Sequence, residues 1–234
     1  MKKLILLVTF VIVSFTSTFS QDRGHIGLSA GLSAPMGDFA SNKSSDENAG
    51  FATTGFLFDF SLNYKLNKTL GIEGLVRVQS NGTDAEALAD EFSAIIPVGI
   101  SGTVESGRWV TVGFLGGLTA SFPLTERFSF NSKILIGVQT TSSPELNVTL
   151  NGPGGSEWVK QESGNGAAFA YLIGAGFKYG ITEKADLLIN IDYVGAEPEF
   201  SDVVTTSSSG ESAKGSFDQP MSTFNFGLGV ALKF

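Results

Sequence analysis

The sequence predicts an all-β chain whose eight strands close into an antiparallel up-and-down barrel. Apolar side chains recur at every second position in eight separate segments, and this is the period of a strand with one apolar and one polar face. Short turns and long polar loops alternate between these segments. That alternation is typical of a meander in which each strand pairs with the next and the last strand closes on the first.

The closing segment has the clearest alternation, because it runs without exception to the last residue. Its apolar positions are Phe224, Phe226, Leu228, Val230, Leu232 and Phe234. The residues between them are small or polar. The full set of predicted strands is 25–33, 51–66, 70–80, 109–122, 127–140, 168–179, 185–194 and 221–234.

Four long connections are predicted at one end of the barrel, over 35–50, 79–108, 140–167 and 194–222. In the second, Thr83 to Glu86 matches a capping box, which predicts a short helix over 85–92. Residues 94–104 are apolar but irregular, and both a strand extension and a packed loop are consistent with them. In the third, 145–150 and 157–161 flank a Gly-Pro turn and predict a hairpin. In the fourth, 195–219 is rich in Ser, Gly and acids and predicts a loop.

The first twenty residues are typical of a secretory signal peptide. Lys2 and Lys3 precede an apolar run over 4–13, and Ser20 precedes the expected cleavage point. A membrane anchor is the alternative, but the run is shorter than the roughly 20 residues that a spanning helix needs. We therefore predict a leader over 1–20 and a barrel domain over 21–234. Losing the two lysines takes the net charge from −8 to −10.

Composition narrows the chemistry that this chain can perform. The chain has no Cys and one His, His25, so we expect no disulfide, no thiolate chemistry and no lipoprotein anchor. Its negative charge disfavours nucleic acid as a partner. No loop has EF-hand spacing. We predict no catalytic residue, no cofactor and no metal site, with His25 as a polar residue at the short-turn end of the first strand.

Period 2 alone does not say which face of the barrel is inside, and a soluble lipocalin-like barrel would turn its apolar face inward. Aromatic residues near both ends of the apolar face favour lipid outside, because two aromatic rows match two membrane interfaces. They are Tyr64, Phe122, Phe128, Tyr179 and Phe234 at one end and Phe56, Phe169, Tyr171, Tyr193 and Phe224 at the other. The sequence therefore predicts a transmembrane barrel whose four long loops are extracellular.

The polar face carries four acids and four bases, and we predict that they form a charge layer inside the barrel. They are Asp59, Glu73, Asp186 and Asp192 against Arg77, Lys133, Lys178 and Lys233. Unpaired charge in a narrow interior is costly, so pairing is expected. An eight-stranded barrel is just wide enough for its side chains to fill. We expect Asp59, Arg77, Lys133 and Asp192 at mid-depth, and a plugged interior rather than an open pore.

The mature chain resembles the small bacterial outer-membrane β-barrel family that includes outer membrane protein X and the membrane domain of outer membrane protein A, within the porin-family outer membrane barrels. The resemblance is carried by the leader, the eight alternating strands, the segment 35–39 after strand one, and the closing strand 224–234. It implies a location in the bacterial outer membrane and contact with its lipid. It also implies that the closing strand is recognised by the barrel assembly machinery.

Three functions are compatible with this architecture. The first is a non-enzymatic surface role in adhesion, envelope integrity or protection, carried by loops that hold 16 acids and four bases. Such loops could bind lipopolysaccharide through divalent cations or a basic extracellular partner. The second is a narrow pore or a transporter of small solutes or hydrophobic molecules. The third is a lipid-modifying enzyme, which His25 disfavours because it lies at the end opposite to the loops. We expect a monomer.

Overall fold

The computed structural model of the chain describes residues 23–43, 45–46, 48–95, 100–153 and 155–234. The predicted leader, 1–20, lies outside these residues. The described elements are β1 (Gly24–Met36), a 3₁₀ turn (Gly37–Ala40), β2 (Ala52–Lys65), β3 (Leu70–Thr83), α1 (Ala85–Ile95), β4 (Ser101–Ser106), β5 (Trp109–Pro123), β6 (Phe128–Ser142), β7 (Leu146–Gly152), β8 (Gly155–Gln161), β9 (Asn165–Gly180), β10 (Ala185–Ala196), β11 (Glu199–Ser207), β12 (Ser212–Asp218) and β13 (Met221–Lys233).

Eight of these strands form a closed antiparallel barrel, as predicted. They pair in the order β10, β13, β1, β2, β3, β5, β6, β9, and β9 pairs in turn with β10. The closure brings the two ends of the chain together, with Leu28 opposite Val230 in the β1–β13 ladder. Strand β1 continues past its predicted end at 33, because β13 still pairs with Pro35 and Met36.

The long loops hold more regular structure than the sequence predicted. The predicted helix is present and extends to Ile95, and the predicted hairpin in 141–167 is present as β7 and β8. The irregular stretch over 94–104 contains β4, which pairs with β7 rather than extending a barrel strand; residues 96–99 lie outside the described part of the chain. The loop predicted over 195–219 is wrong, because β11 and β12 form a hairpin there. The β-branched run 203–206 supplies strand propensity that the Ser and Gly content concealed.

These loop elements assemble into one layer above the barrel, which we call the crown: α1, β4, β7, β8, β11 and β12. Strand β11 pairs with β8 near its C-terminal end and with β9 at its N-terminal end. The crown is therefore a continuation of the barrel wall, and its position relative to the barrel is set by backbone hydrogen bonds.

The barrel carries its apolar face outward. Phe56, Leu118 and Ile134 are 69%, 61% and 62% exposed, whereas Arg77 on the inner face is 3% exposed. The aromatic rows follow the same rule, with Tyr64, Phe122, Phe169 and Tyr179 all exposed on the outer face. Such a surface requires lipid around it, because an apolar belt of this extent in water is a strong driving force for association.

Among the described residues, no helix is long and apolar enough to cross a membrane.

Inward-facing glycines allow the strands to approach one another closely in this narrow barrel, and Gly117 is one such position. A Cβ at Gly117 would collide with the carbonyl oxygen of Ile134, whereas the nearest atom to a Cβ at the neighbouring, outward-facing Gly116 is 3.7 Å away. We expect Gly117→Ala to destabilise the barrel by about 1–3 kcal/mol, since the paired strand must move. Gly116→Ala is the matched control and should leave the urea midpoint nearly unchanged. Equal midpoints for the two variants would contradict the close approach.

Candidate functional site

Side chains close the interior of the barrel at several depths, starting with an aromatic plug at the crown end. We use this name for Phe39, Trp109, Phe200 and Phe217, which pack with Ala52, Val203 and Met221. Ring centroids are 5.5 Å apart for Phe39 and Trp109, 5.8 Å for Trp109 and Phe200, and 4.9 Å for Phe200 and Phe217. The indole Nε1 of Trp109 donates to the carbonyl of Gly50 at 3.2 Å, so the plug is also tied to the first loop.

A layer of amides and hydroxyls lies below the plug. Asn81 Nδ2 donates to the carbonyls of Ser33 at 3.2 Å and Thr53 at 3.0 Å. Gln79 Nε2 donates to Asn81 Oδ1 at 2.9 Å. These buried side chains satisfy one another, as a narrow polar interior requires.

At mid-depth, Arg77 binds two carboxylates from opposite directions. Its Nε and Nη2 donate to the two oxygens of Asp59, both at 2.7 Å, and its Nη1 and Nη2 donate to Asp192 at 2.7 and 2.9 Å. Asn225 Nδ2 donates to Asp192 at 3.1 Å. We call Arg77, Asp59 and Asp192 the arginine triad. A guanidinium forms this pair of forked contacts because its five donors lie in one plane.

Lys133 lies level with Asp192, because both residues are paired with Gly174, but its ammonium binds a carboxylate outside the arginine triad. Its Nζ lies 3.3 Å from Glu73 Oε1, and Asn63 Nδ2 donates to the other oxygen of Glu73 at 3.3 Å. The order of the strands explains why Lys133 binds Glu73 and not the arginine triad. Lys133 lies on β6 and reaches Glu73 on β3, across β5, where the facing positions are Thr119 and Gly117 and leave room.

The remaining charges lie towards the short turns. Lys233 Nζ is 2.8 Å from Asp186 Oδ1. Lys178 Nζ is 3.5 Å from Nδ1 of His25, which is 4% exposed at the short-turn end of β1. Within the described residues, Lys178 has no carboxylate oxygen within 4.0 Å. The four acids and four bases are therefore not paired one to one: the triad uses two acids, and Lys178 is left over.

One side of the interior is apolar, which the sequence interpretation missed. Its buried cluster consists of Leu75, Leu115, Leu135, Ala170, Leu172 and Val194. The sequence contained a signal for this cluster, because all six residues occupy inward-facing positions in the alternation of their strands. These side chains fill the barrel beside the arginine triad and lower the dielectric constant around it, which strengthens its electrostatic contacts.

The residues of the closing strand predicted as an assembly signal all lie on β13 or at the C-terminus. Phe224, Phe226, Leu228, Val230 and Leu232 face outward and are 41–60% exposed. Phe234 is tied to the start of β1, with its N–H donating to the carbonyl of Gly24 at 3.0 Å. The strand thus presents an apolar ridge on its outer face while both of its edges are paired.

The crown contains a pocket of about 440 Å³ to which all four loops contribute. Trp109 and Phe217 of the aromatic plug lie at its base, and Leu88, Leu146 and Gln161 are among its walls. Nearby, Lys160 Nζ is 2.8 Å from Glu145 Oε1, and this hydrogen bond raises the pKa of Lys160. Among the described residues, no group of three or more His, Asp or Glu side chains is placed to hold a metal ion.

The model of the outer membrane protein beta-barrel domain family matches residues 4–234, which is nearly the whole chain. The chain belongs to this family. The closed eight-stranded barrel and the outward apolar face agree with that membership. No curated protein sequence matches the chain.

Solved structures of small outer-membrane barrels resemble this member in fold. The attachment invasion locus protein Ail of Yersinia pestis is 15% identical over 91% of this chain and 99% of its own, with a TM-score of 0.42. Neisserial surface protein A is 12% identical over 90% and 97%, with a TM-score of 0.41. A major outer membrane protein of Thermus thermophilus is 13% identical over 90% and 99%, with a TM-score of 0.49.

Proposed function

We propose that this protein is a non-enzymatic and non-conducting surface protein of the bacterial outer membrane, and that its function is carried by the crown. The observation that supports this proposal is the blockage of the interior by packed side chains. The aromatic plug and the arginine triad with its leucine neighbours block the barrel at two separate depths. A barrel without a continuous channel has its exposed loops as the surface on which to act.

The crown suits recognition because it is both structured and charged. Its hairpins hold side chains in fixed positions, and the four long loops carry 16 acids against four bases. The partners that this charge favours are lipopolysaccharide bound through divalent cations, or a basic extracellular ligand. We further propose that residues 1–20 are the export leader, that the outward ridge of β13 is read by the barrel assembly machinery, and that the protein is a monomer.

Conductance in planar bilayers tests the closed interior. We expect the purified protein to show no steady openings above leak, because the side chains of the plug and the triad close the interior at two depths. The informative control is a variant in which the β7–β8 hairpin, residues 146–161, is replaced by two glycines. Among its described residues, this hairpin pairs with β4 and β11 and with no barrel strand. The variant should also show no steady openings above leak.

Steady openings of the wild-type protein would replace this proposal with the transport alternative. Openings only in the hairpin variant would mean that the crown acts as a lid over a pore.

The role of the crown itself is tested with the same pair of proteins and lipopolysaccharide vesicles in about 5–10 mM Mg²⁺, at an ionic strength low enough to limit screening. We expect the wild type to bind more tightly than the variant, and equal binding would count against a crown-borne role.

A further inference from the structure

The two ends of the barrel have opposite charge. At the short-turn end, a cavity of about 900 Å³ opens to solvent, and six bases and two acids line it. We call it the basic vestibule. Its charged residues are Arg23, Lys65, Lys68, Arg127, Lys178 and Lys233, with Glu126 and Asp186. The protein as a whole is acidic, so this concentration of cations is not a consequence of its composition.

The vestibule continues into the barrel. A narrow cavity of about 50 Å³ lies deeper, and His25, Lys65 and Lys178 line both spaces. The inner cavity extends past Lys133 and Glu73 to Asp59, so it ends at the arginine triad. The vestibule is therefore a blind recess with Lys178 near its inner end.

The cations of the vestibule are poorly compensated by the protein. Lys233 has Asp186 at 2.8 Å. Among the described residues, the side-chain nitrogens of the other five bases have no Asp or Glu oxygen within 4.0 Å. The C-terminal carboxylate of Phe234 accepts from the backbone N–H groups of Arg23 and Gly24 at the edge of the vestibule, at 2.9 and 3.1 Å. Lys178 is half-buried, and its Nζ contacts Nδ1 of the His25 ring at 3.5 Å. Glu73 and Asp186 act on Lys178 only from beyond contact distance, and each already binds another lysine. This half-buried ammonium is therefore poorly compensated, because it has lost part of its hydration and has no carboxylate of its own.

We propose that the basic vestibule binds a phosphate group, with Lys178 at the inner end of the site and Lys65 and Arg127 at its rim. Several lysines supply point charges and Arg127 supplies a planar fork, and this mixture suits a multivalent oxyanion better than a single carboxylate. Low-dielectric walls around the recess concentrate the positive potential at its mouth. The site is independent of the crown and of the function proposed for it.

The phosphate group can come from two sources. Outer-membrane barrels place their short turns in the periplasm, so the vestibule opens beside the phospholipid headgroups of the inner leaflet and also faces soluble phosphates. A headgroup and a soluble phosphate offer the same phosphate oxygens to the vestibule. The experiment must therefore distinguish these two sources of the ligand.

Titration of the full-length mature protein with inorganic phosphate tests the site. The protein is held in a maltoside detergent at low salt, free of phosphorus, and binding is followed by calorimetry. We expect saturable binding of one phosphate per barrel that weakens as salt is added. Lys178→Met should weaken it about tenfold, the effect of one charge-assisted hydrogen bond. Lys65→Met, an exposed rim variant that leaves the interior intact, should weaken it several-fold.

The control is Lys214→Met, which removes an exposed lysine of the crown that pairs with Asp202. Its phosphate affinity should equal that of the wild type. Unheated gel mobility shows whether each variant is folded. Absence of saturable binding, or equal weakening by Lys214→Met and Lys65→Met, would overturn the proposal.

Lipid nanodiscs then separate the two sources. Unchanged phosphate affinity in phosphatidylglycerol nanodiscs identifies the soluble anion as the ligand. Loss of phosphate binding in those nanodiscs, with binding retained in detergent, identifies the headgroup as the occupant. Both results support the phosphate site and differ only in the source of the ligand.

Discussion

Arg77→Leu is expected to lower the free energy of unfolding by about 3–5 kcal/mol, the usual cost of removing one partner from a buried ion pair. The substitution leaves Asp59 and Asp192 buried, 3% exposed each, with like charges and no cation between them. Urea unfolding followed by the change in gel mobility between folded and unfolded barrel measures the effect. We expect the folded band to disappear at a clearly lower urea concentration.

Neutralising the acids should reverse most of that loss. In the triple variant Arg77→Leu, Asp59→Asn and Asp192→Asn, no charge remains uncompensated in the triad, so stability should return towards that of the wild type. Lys214→Ala is the control, because its ion pair with Asp202 is exposed and contributes little. An unchanged midpoint for Arg77→Leu would show that the triad does not hold the barrel together.

Ile134→Arg is expected to cost about 2–4 kcal/mol when the protein is unfolded from a lipid bilayer, the range for arginine at the centre of a lipid-facing strand. Ile134 is 62% exposed on the outer face of β6. In water, an exposed isoleucine could be replaced by arginine at almost no cost, so the penalty reports the solvent around the barrel. Reversible unfolding from phosphatidylcholine vesicles by guanidinium measures it.

Trp158→Arg is the matched substitution outside the membrane. Trp158 is 41% exposed on β8 of the crown, where water and not lipid surrounds the side chain. Its replacement should change stability by no more than about 0.5 kcal/mol. A similar small value for Ile134→Arg would mean that the apolar face is not embedded in lipid.

The strands could be predicted from sequence because their signal is local. Alternation along Phe224 to Phe234 depends only on which residues are neighbours, and the same rule locates Leu115 inside and Phe114 outside. Long polar loops carry a weaker local signal. The hairpin over 145–161 was predictable from its turn, whereas the hairpin of β11 and β12 was missed because the Ser, Gly and acid content of 195–219 concealed the β-branched run over 203–206.

The side-chain contacts inside the barrel could not be predicted from the local sequence patterns that locate the strands. Arg77 and Asp192 are 115 residues apart, and their meeting depends on how far each strand is shifted relative to its neighbour around the whole closed sheet. The same shift brings Lys133 to Glu73 and leaves Lys178 beside His25. A count of four acids and four bases predicts overall neutrality, but it contains no information about which charges meet.

The sequence by itself determined that this chain is a lipid-facing barrel of eight strands with charges within and acidic loops at one end, because period-2 patterning and composition are properties of short segments. Only the tertiary structure decided that an arginine holds two aspartates, that aromatic side chains close the crown end, and that a basic recess lies at the other. Those features arise from side chains on strands that meet only when the sheet closes, and closure is a property of the whole chain.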